Sequence, residues 1–72
     1  MSTIVALGEG PRVRGYGLAG ASVAVAEGEA EVSAAWDALG PEVGLVLLTP
    51  AAAGVVASRA GERSHLLIAV MP

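Results

Sequence analysis

The sequence Val-Gly-Leu-Val-Leu-Leu at residues 43–48 carries no polar side chain on either face that a β-strand would present. A strand of this kind needs cover on both faces, which is the situation of an inner strand in a parallel sheet flanked by helices. The segment therefore predicts a central strand in an α/β domain.

Three other short apolar runs predict further strands, at residues 3–7, 22–26 and 65–71. Between the strands, helices are predicted at residues 11–18, about 27–39 and about 51–60. The first and third helices would each begin with a proline, which fits the first helical turn. In the third, Thr49 precedes Pro50 and is the expected N-cap, while Gly54 weakens the helix.

The middle helix has the clearest pattern. Apolar residues recur at Val32, Ala35, Trp36 and Leu39, a spacing that places them on one face of a helix. Trp36 is accordingly expected in the core. Three glutamates open this segment, Glu27, Glu29 and Glu31, where the positive end of the helix dipole favours them; we interpret them as a solvated face rather than a cation site.

Alternating strands and helices with short connections require right-handed crossovers and a mostly parallel sheet. We therefore predict one α/β domain over residues 1–72, a small doubly wound, Rossmann-like, four-stranded parallel sheet with three helices. A domain of this size buries only about 60% of its unfolded surface, so its stability should be marginal.

The composition removes the reagents of much enzyme chemistry. The sequence contains no Cys or Lys, and His65 is its single histidine. Without these residues there is no thiolate nucleophile, no Schiff base and no multi-histidine metal site. Pairing of His65 with Ser58 or Ser64 is not supported by any carboxylate placed by sequence. We expect no enzyme activity, no catalytic residues, no cofactor and no metal.

The charge balance bears on partners and location. A net charge of −3 disfavours binding to nucleic acid. The longest uncharged stretch, residues 43–58, is shorter than the roughly 20 residues of a spanning helix, so no membrane insertion is expected. Residues 1–7 carry no basic side chain, which disfavours a secretory signal, and a cytoplasmic location is predicted.

Two glycine-rich strings suggest a nucleotide site only weakly. Gly15, Gly17 and Gly20 match G-x-G-x-x-G, but the string neither follows a strand directly nor opens a helix, so we interpret these glycines as packing and turn residues. Gly8-Glu9-Gly10 follows the first strand, where ligands of open α/β sheets bind. It lacks a third glycine, and Glu9 would repel phosphate, so a surface turn is the preferred interpretation.

Four segments, taken together, resemble the F-subunit family of the V-type and archaeal-type rotary ATPases. They are residues 4–8, 13–20, 43–49 and 66–72. The most specific is Val-Arg-Gly-Tyr-Gly-Leu-Ala-Gly, whose family-motif residues are Gly15, Tyr16, Leu18, Ala19 and Gly20. The resemblance implies an α/β domain in which Tyr16 and Leu18 set helix packing.

The resemblance further implies a non-catalytic central-stalk subunit that docks on the coiled-coil stalk subunit, contacts other ATPase subunits and contributes to coupling or regulation. It would lie in the cytoplasm, peripheral to the membrane through the complex. The family usually continues into a carboxy-terminal helix, whereas this sequence stops at Pro72. As its docking face we predict small residues of the third helix, Ala52, Ala53, Val55 and Val56.

The alternative is a stand-alone nucleotide- or phosphate-binding module that uses the loop at Gly8. A receiver-like signalling domain is a third possibility, but it needs an acidic cluster at the strand ends. Glu9 alone does not supply that cluster.

Overall fold

A computed structural model describes residues 3–18, 20–63 and 65–72. In chain order the elements are β1 (Thr3–Gly8), α1 (Gly10–Gly17), β2 (Ser22–Val25), α2 (Glu29–Ala38), β3 (Val43–Leu48), α3 (Pro50–Val56), a 3₁₀ helix (Ala57–Glu62) and β4 (Leu67–Val70). Two residues named from the sequence, Ala19 and Ser64, lie outside the described residues.

The four strands form one parallel sheet in the order β2-β1-β3-β4. This confirms the predicted four-stranded α/β fold with three helices and the inner position of β3. The chain leaves β1 toward β2 and leaves β3 toward β4, so the strand order reverses between the two inner strands. In open parallel sheets such a reversal opens a crevice at the carboxyl ends of the strands.

One face of the sheet is covered by α2 and α3. Its core contains Leu7 from β1, Val46 and Leu48 from β3, Trp36 from α2 and Val56 from α3, all nearly or fully buried. Trp36 therefore occupies the core position that the helical spacing predicts. Because the largest side chain of the domain lies between α2 and the sheet, this layer holds most of the apolar contact area.

The other face, which we call the α1 face, is covered only in part. Val13 of α1 packs there with Ala6 of β1 and Met71, and Tyr16 lies against this smaller cluster. Among the described residues, α1 contacts β1 and β2 and leaves the β3 and β4 side largely without a helix. Leu45 and Leu47 of β3 are accordingly only half-buried. The prediction that β3 is covered on both sides is thus correct for one face and incomplete for the other.

The element ends differ slightly from the prediction. The third helix was expected to continue to about residue 60, but α3 ends at Val56 and the chain tightens into a 3₁₀ helix up to Glu62. His65 lies exposed in a turn, so β4 begins two residues later than expected, at Leu67. In the part of the chain that is described, no helix combines the length and apolarity that crossing a membrane requires.

Candidate functional site

The crevice at the carboxyl ends of β1 and β3 is closed by a contact between Thr49 and Glu9. Thr49 is fully buried, and its hydroxyl donates a hydrogen bond to Oε1 of Glu9. The same hydroxyl oxygen accepts a hydrogen bond from the backbone N–H of Ala52 at 3.2 Å, which confirms Thr49 as the N-cap of α3. One side chain thus stabilises the start of a helix and orients a carboxylate from the neighbouring loop.

The environment of Glu9 favours its ionised form. The hydrogen bond from Thr49 lowers the pKa of the Glu9 carboxyl, and the bond to its own backbone amide and the nearby charge of Arg12 lower it further. Glu9 is therefore a fixed negative charge at the point of the fold where a ligand of an open α/β sheet would bind.

Gly8 is needed for the close approach of the two loops. A Cβ atom built on Gly8 would overlap the Thr49 side chain, and the backbone there has a φ of +154°. Any larger residue would push β1 and the start of α3 apart. The glycine is thus explained by strand packing and not by a bound phosphate.

A second carboxylate occupies the amino end of α1. The backbone N–H of Gly10 donates to Oε2 of Glu27 at 2.9 Å. The backbone N–H of Glu27 donates in turn to Oε1 of Glu31 at 2.7 Å, which connects the α1 and α2 starts. Amides at a helix start are the usual donors to phosphate. Here the Gly10 amide is already bound to a carboxylate of the domain itself.

These groups border a cleft of about 300 Å³. Glu9, Glu27 and Glu29 supply its carboxylates, while Val32 and Val55 are among its apolar lining residues. A cleft with this lining repels anions, including the phosphates of a nucleotide. Within the described ranges, the His, Asp and Glu side chains form no group of three suited to a metal ion.

The G-x-G-x-x-G string does not lie in a ligand-binding position. Gly15 and Gly17 belong to the last turns of α1, and Gly20 lies in the turn before β2 with a φ of +97°. The string therefore ends a helix instead of opening one, which confirms its interpretation as packing and turn residues. A side chain at Gly17 would press against Val23 of β2.

The two side chains of the family motif behave differently. Tyr16 is half-buried against the cluster on the α1 face, as helix packing requires. Leu18 is 95% exposed, so the expectation that it sets helix packing is wrong. It is the C-cap residue of α1 and lies beyond the turn whose side chains reach the sheet.

The predicted docking face on α3 is also corrected. Ala52 and Val56 are buried in the domain's own core, and Ala53 and Val55 are half-buried against it. The apolar stripe of α3 is real, but it faces the sheet and α2. Ala52 and Val56 are thus inaccessible to a partner, because the helix uses this stripe to complete the fold.

A different apolar surface is exposed on the α1 face. Ile4, Leu45 and Leu67 are register neighbours on three adjacent strands, and we call them the apolar row. Ile4 is 43% exposed and Leu67 is 69% exposed. Because adjacent strands lie about 4.8 Å apart, the three side chains form a short continuous ridge. The sequence placed all three in strands, but it could not show that α1 leaves this part of the sheet uncovered.

Basic side chains accompany this surface. Arg12 and Arg14 are exposed on α1, and Arg12 donates a hydrogen bond to the carbonyl oxygen of Pro72, just beyond β4. The other two arginines, Arg59 and Arg63, contact the carboxyl end of α2. The α1 face therefore combines exposed leucine and isoleucine side chains with positive charge, in contrast to the acidic cleft.

The remaining candidate residues do not form a catalytic group. His65 is exposed in its turn, and Ser58 is exposed on the 3₁₀ helix. Trp36 is fully buried, and its indole N–H has no hydrogen-bond partner among the described residues. The Arg63 guanidinium lies 5.6 Å from the centre of its ring. This arrangement is a packing contact on the α2 side of the domain.

No protein-family model matches this chain, and neither a curated protein nor a solved structure shows significant similarity to it.

Proposed function

We propose that this domain is a non-catalytic central-stalk subunit of a V/A-type rotary ATPase that docks on the coiled-coil stalk subunit through its α1 face. In this proposal it contributes to coupling or regulation, and it lies in the cytoplasm, held at the membrane by the complex. The observation that carries the docking is the exposed apolar row, Ile4, Leu45 and Leu67.

The position of the row supports this partner. Its three residues come from three of the segments in which the resemblance to the rotary-ATPase family lies, residues 4–8, 43–49 and 66–72. The remaining segment contributes a further exposed apolar side chain, Leu18. The resemblance therefore coincides with side chains that the fold itself leaves exposed, as a docking role requires.

The chemistry of the row fits a helix. A flat apolar ridge across parallel strands is the kind of surface that helices cover in α/β domains, and within the described ranges β3 and β4 have no such helix on this face. Arg12 and Arg14 favour a helix with acidic residues beside its apolar stripe.

Binding to the purified coiled-coil stalk subunit from the same organism tests the proposal. Leu67→Glu should weaken binding at least tenfold, since removing one well-buried leucine from an interface costs about 1.5–3 kcal/mol. Val70→Glu is the matched control, because Val70 is on the same strand and 56% exposed but faces the α2 and α3 side. Absence of binding by the unaltered chain, or equal weakening by both variants, would contradict the proposal.

The alternative function, nucleotide or phosphate binding after β1, is not favoured by any observation. Glu9 and Glu27 border the loop, and Glu27 already accepts from the Gly10 amide. Calorimetric titration with a nucleotide at millimolar concentration should give no binding heat. A saturable heat would favour the alternative over the stalk-subunit proposal.

A further inference from the structure

The outer edge of β4 has backbone groups that find no strand partner among the described residues. β4 is the last strand of the sheet, and the N–H of Met71 donates to the carbonyl oxygen of Leu48 at 2.8 Å. Successive residues of a strand direct their backbone groups to opposite sides. The N–H and C=O groups of Ile68 and Val70 therefore point away from β3.

This edge lacks the features that keep strand edges apart. Natural sheets protect exposed edges with charged residues, proline or a bulge. β4 has the sequence Leu-Ile-Ala-Val, with neither a charge nor a proline. Leu67 on one face and Val70 on the other are 69% and 56% exposed. The edge thus combines outward hydrogen-bonding groups with exposed apolar side chains.

We propose that β4 pairs in antiparallel orientation with β4 of a second copy of this chain, around a two-fold axis at Ala69. In this register Ile68 faces Val70 of the second copy, and each pair exchanges two N–H···O=C bonds. All four outward groups of each strand are then satisfied. Ala69 meets its own counterpart at the position where antiparallel strands approach most closely, and its small side chain permits that approach.

Charge favours a second copy at this edge. Each chain carries a net charge of −3, so two copies repel wherever their acidic residues meet. Residues 66–72 carry no charged side chain. The acidic cluster of Glu27, Glu29 and Glu31 follows β2, the strand at the opposite edge of the sheet. The β4 edge is therefore a place where like-charged copies meet without opposed charges.

The size of the contact sets its strength. The whole domain exposes 4104 Å², and a stable interface takes about 800 Å² from each partner, which here is nearly a fifth of the surface. A strand edge of four residues offers less than this. The dimer therefore belongs to the weak, reversible class and forms as the protein concentration rises. It uses the strand edge and so does not depend on the proposed docking of the α1 face.

Analytical ultracentrifugation up to millimolar concentration tests this pairing. The unaltered chain should show a reversible monomer–dimer equilibrium, and Val70→Pro should shift it to monomer. The Val70 N–H points outward, so proline removes the intermolecular donor without removing a bond to β3. Val25→Pro is the matched control, because the Ala26 N–H donates to Gly8 and the Val25 N–H on β2 therefore points outward too.

Dimerisation retained by Val70→Pro, lost equally in a folded Val25→Pro, or absent from the unaltered chain at millimolar concentration would overturn the proposal. Circular dichroism and thermal unfolding establish whether each proline variant is folded. Hydrogen exchange on the unaltered chain decides the matter if a variant is not. The amides of Ile68 and Val70 should exchange more slowly as concentration rises, while those of Val23 and Val25 should not change; equal behaviour of the two edges would contradict the pairing.

Discussion

The Thr49 hydroxyl donates to the Glu9 carboxylate and accepts from the Ala52 amide, so a single side chain links the loop after β1 to the first turn of α3. These two loops flank the crevice between the inner strands. In this domain the crevice is stabilised by the protein's own polar groups, which explains why a glycine-rich loop there does not indicate a phosphate site.

Replacing Thr49 with valine should destabilise the domain by about 2 kcal/mol, because the shape is kept while the helix cap and the donor to a charged carboxylate are lost. Thr49→Ser is the control, since it keeps the hydroxyl and loses one methyl group. Urea unfolding compares the two variants. Equal stability of Thr49→Val and the unaltered chain would show that the hydrogen bonds of Thr49 contribute nothing net.

Stability should fall at acidic pH partly because of Glu9. The pKa of Glu9 is lowered in the folded state from its ordinary value of 4.5, so the folded state favours the ionised carboxylate more than the unfolded state does. This contribution is fully present above pH 4.5 and is lost as the pH falls through the lower, folded-state pKa. Unfolding curves over this range should show a weaker pH dependence for Glu9→Gln. An unchanged dependence would exclude a contribution from Glu9.

Trp36→Ala should abolish cooperative thermal unfolding, since truncating a fully buried tryptophan costs about 3–5 kcal/mol, a large part of the stability of a small domain. Trp36→Phe is the matched variant. It keeps an aromatic ring in the core and removes the indole N–H, which has no partner among the described residues. We expect it to unfold cooperatively with a smaller loss. A normal melting curve for Trp36→Ala would contradict the core position.

Two arginines contact the end of α2 in different ways. Arg63 donates to the carbonyl oxygen of Leu39 at 2.8 Å and lies over the Trp36 ring, so Arg63→Ala should cost about 1–2 kcal/mol. Arg59 pairs with the exposed carboxylates of Asp37 and Glu62, and such pairs contribute only about 0–1 kcal/mol. Urea unfolding should therefore rank Arg63→Ala as the less stable variant, and the reverse order would contradict this assignment.

The sequence was sufficient to predict the fold because its signals are local. The unbroken apolar run of β3, the spacing of Val32 and Trp36, and Thr49 before Pro50 each depend on residues close in the chain. Together with the rule for crossover handedness, they determine the parallel sheet.

The surfaces were harder to predict because they depend on which element covers which. The stripe of Ala52 and Val56 has the same spacing whether it faces a partner or the core, and the structure places it in the core. Ile4 and Leu67 belong to apolar strands that give no sign of incomplete cover. The contact between Glu9 and Thr49 joins residues 40 positions apart, so spacing along the chain contains no signal for it.

Gly8 and Gly54 should respond in opposite directions to the same substitution. A Cβ at Gly8 would overlap the Thr49 side chain, so Gly8→Ala must separate β1 from the start of α3 and destabilise the domain. Gly54 lies inside α3 with open space around its Cβ position. Gly54→Ala should therefore stabilise the domain by about 1 kcal/mol through helix propensity. Thermal unfolding of the two variants measures the difference, and a neutral Gly8→Ala would show that the loops tolerate separation and that their close contact is not required for the fold.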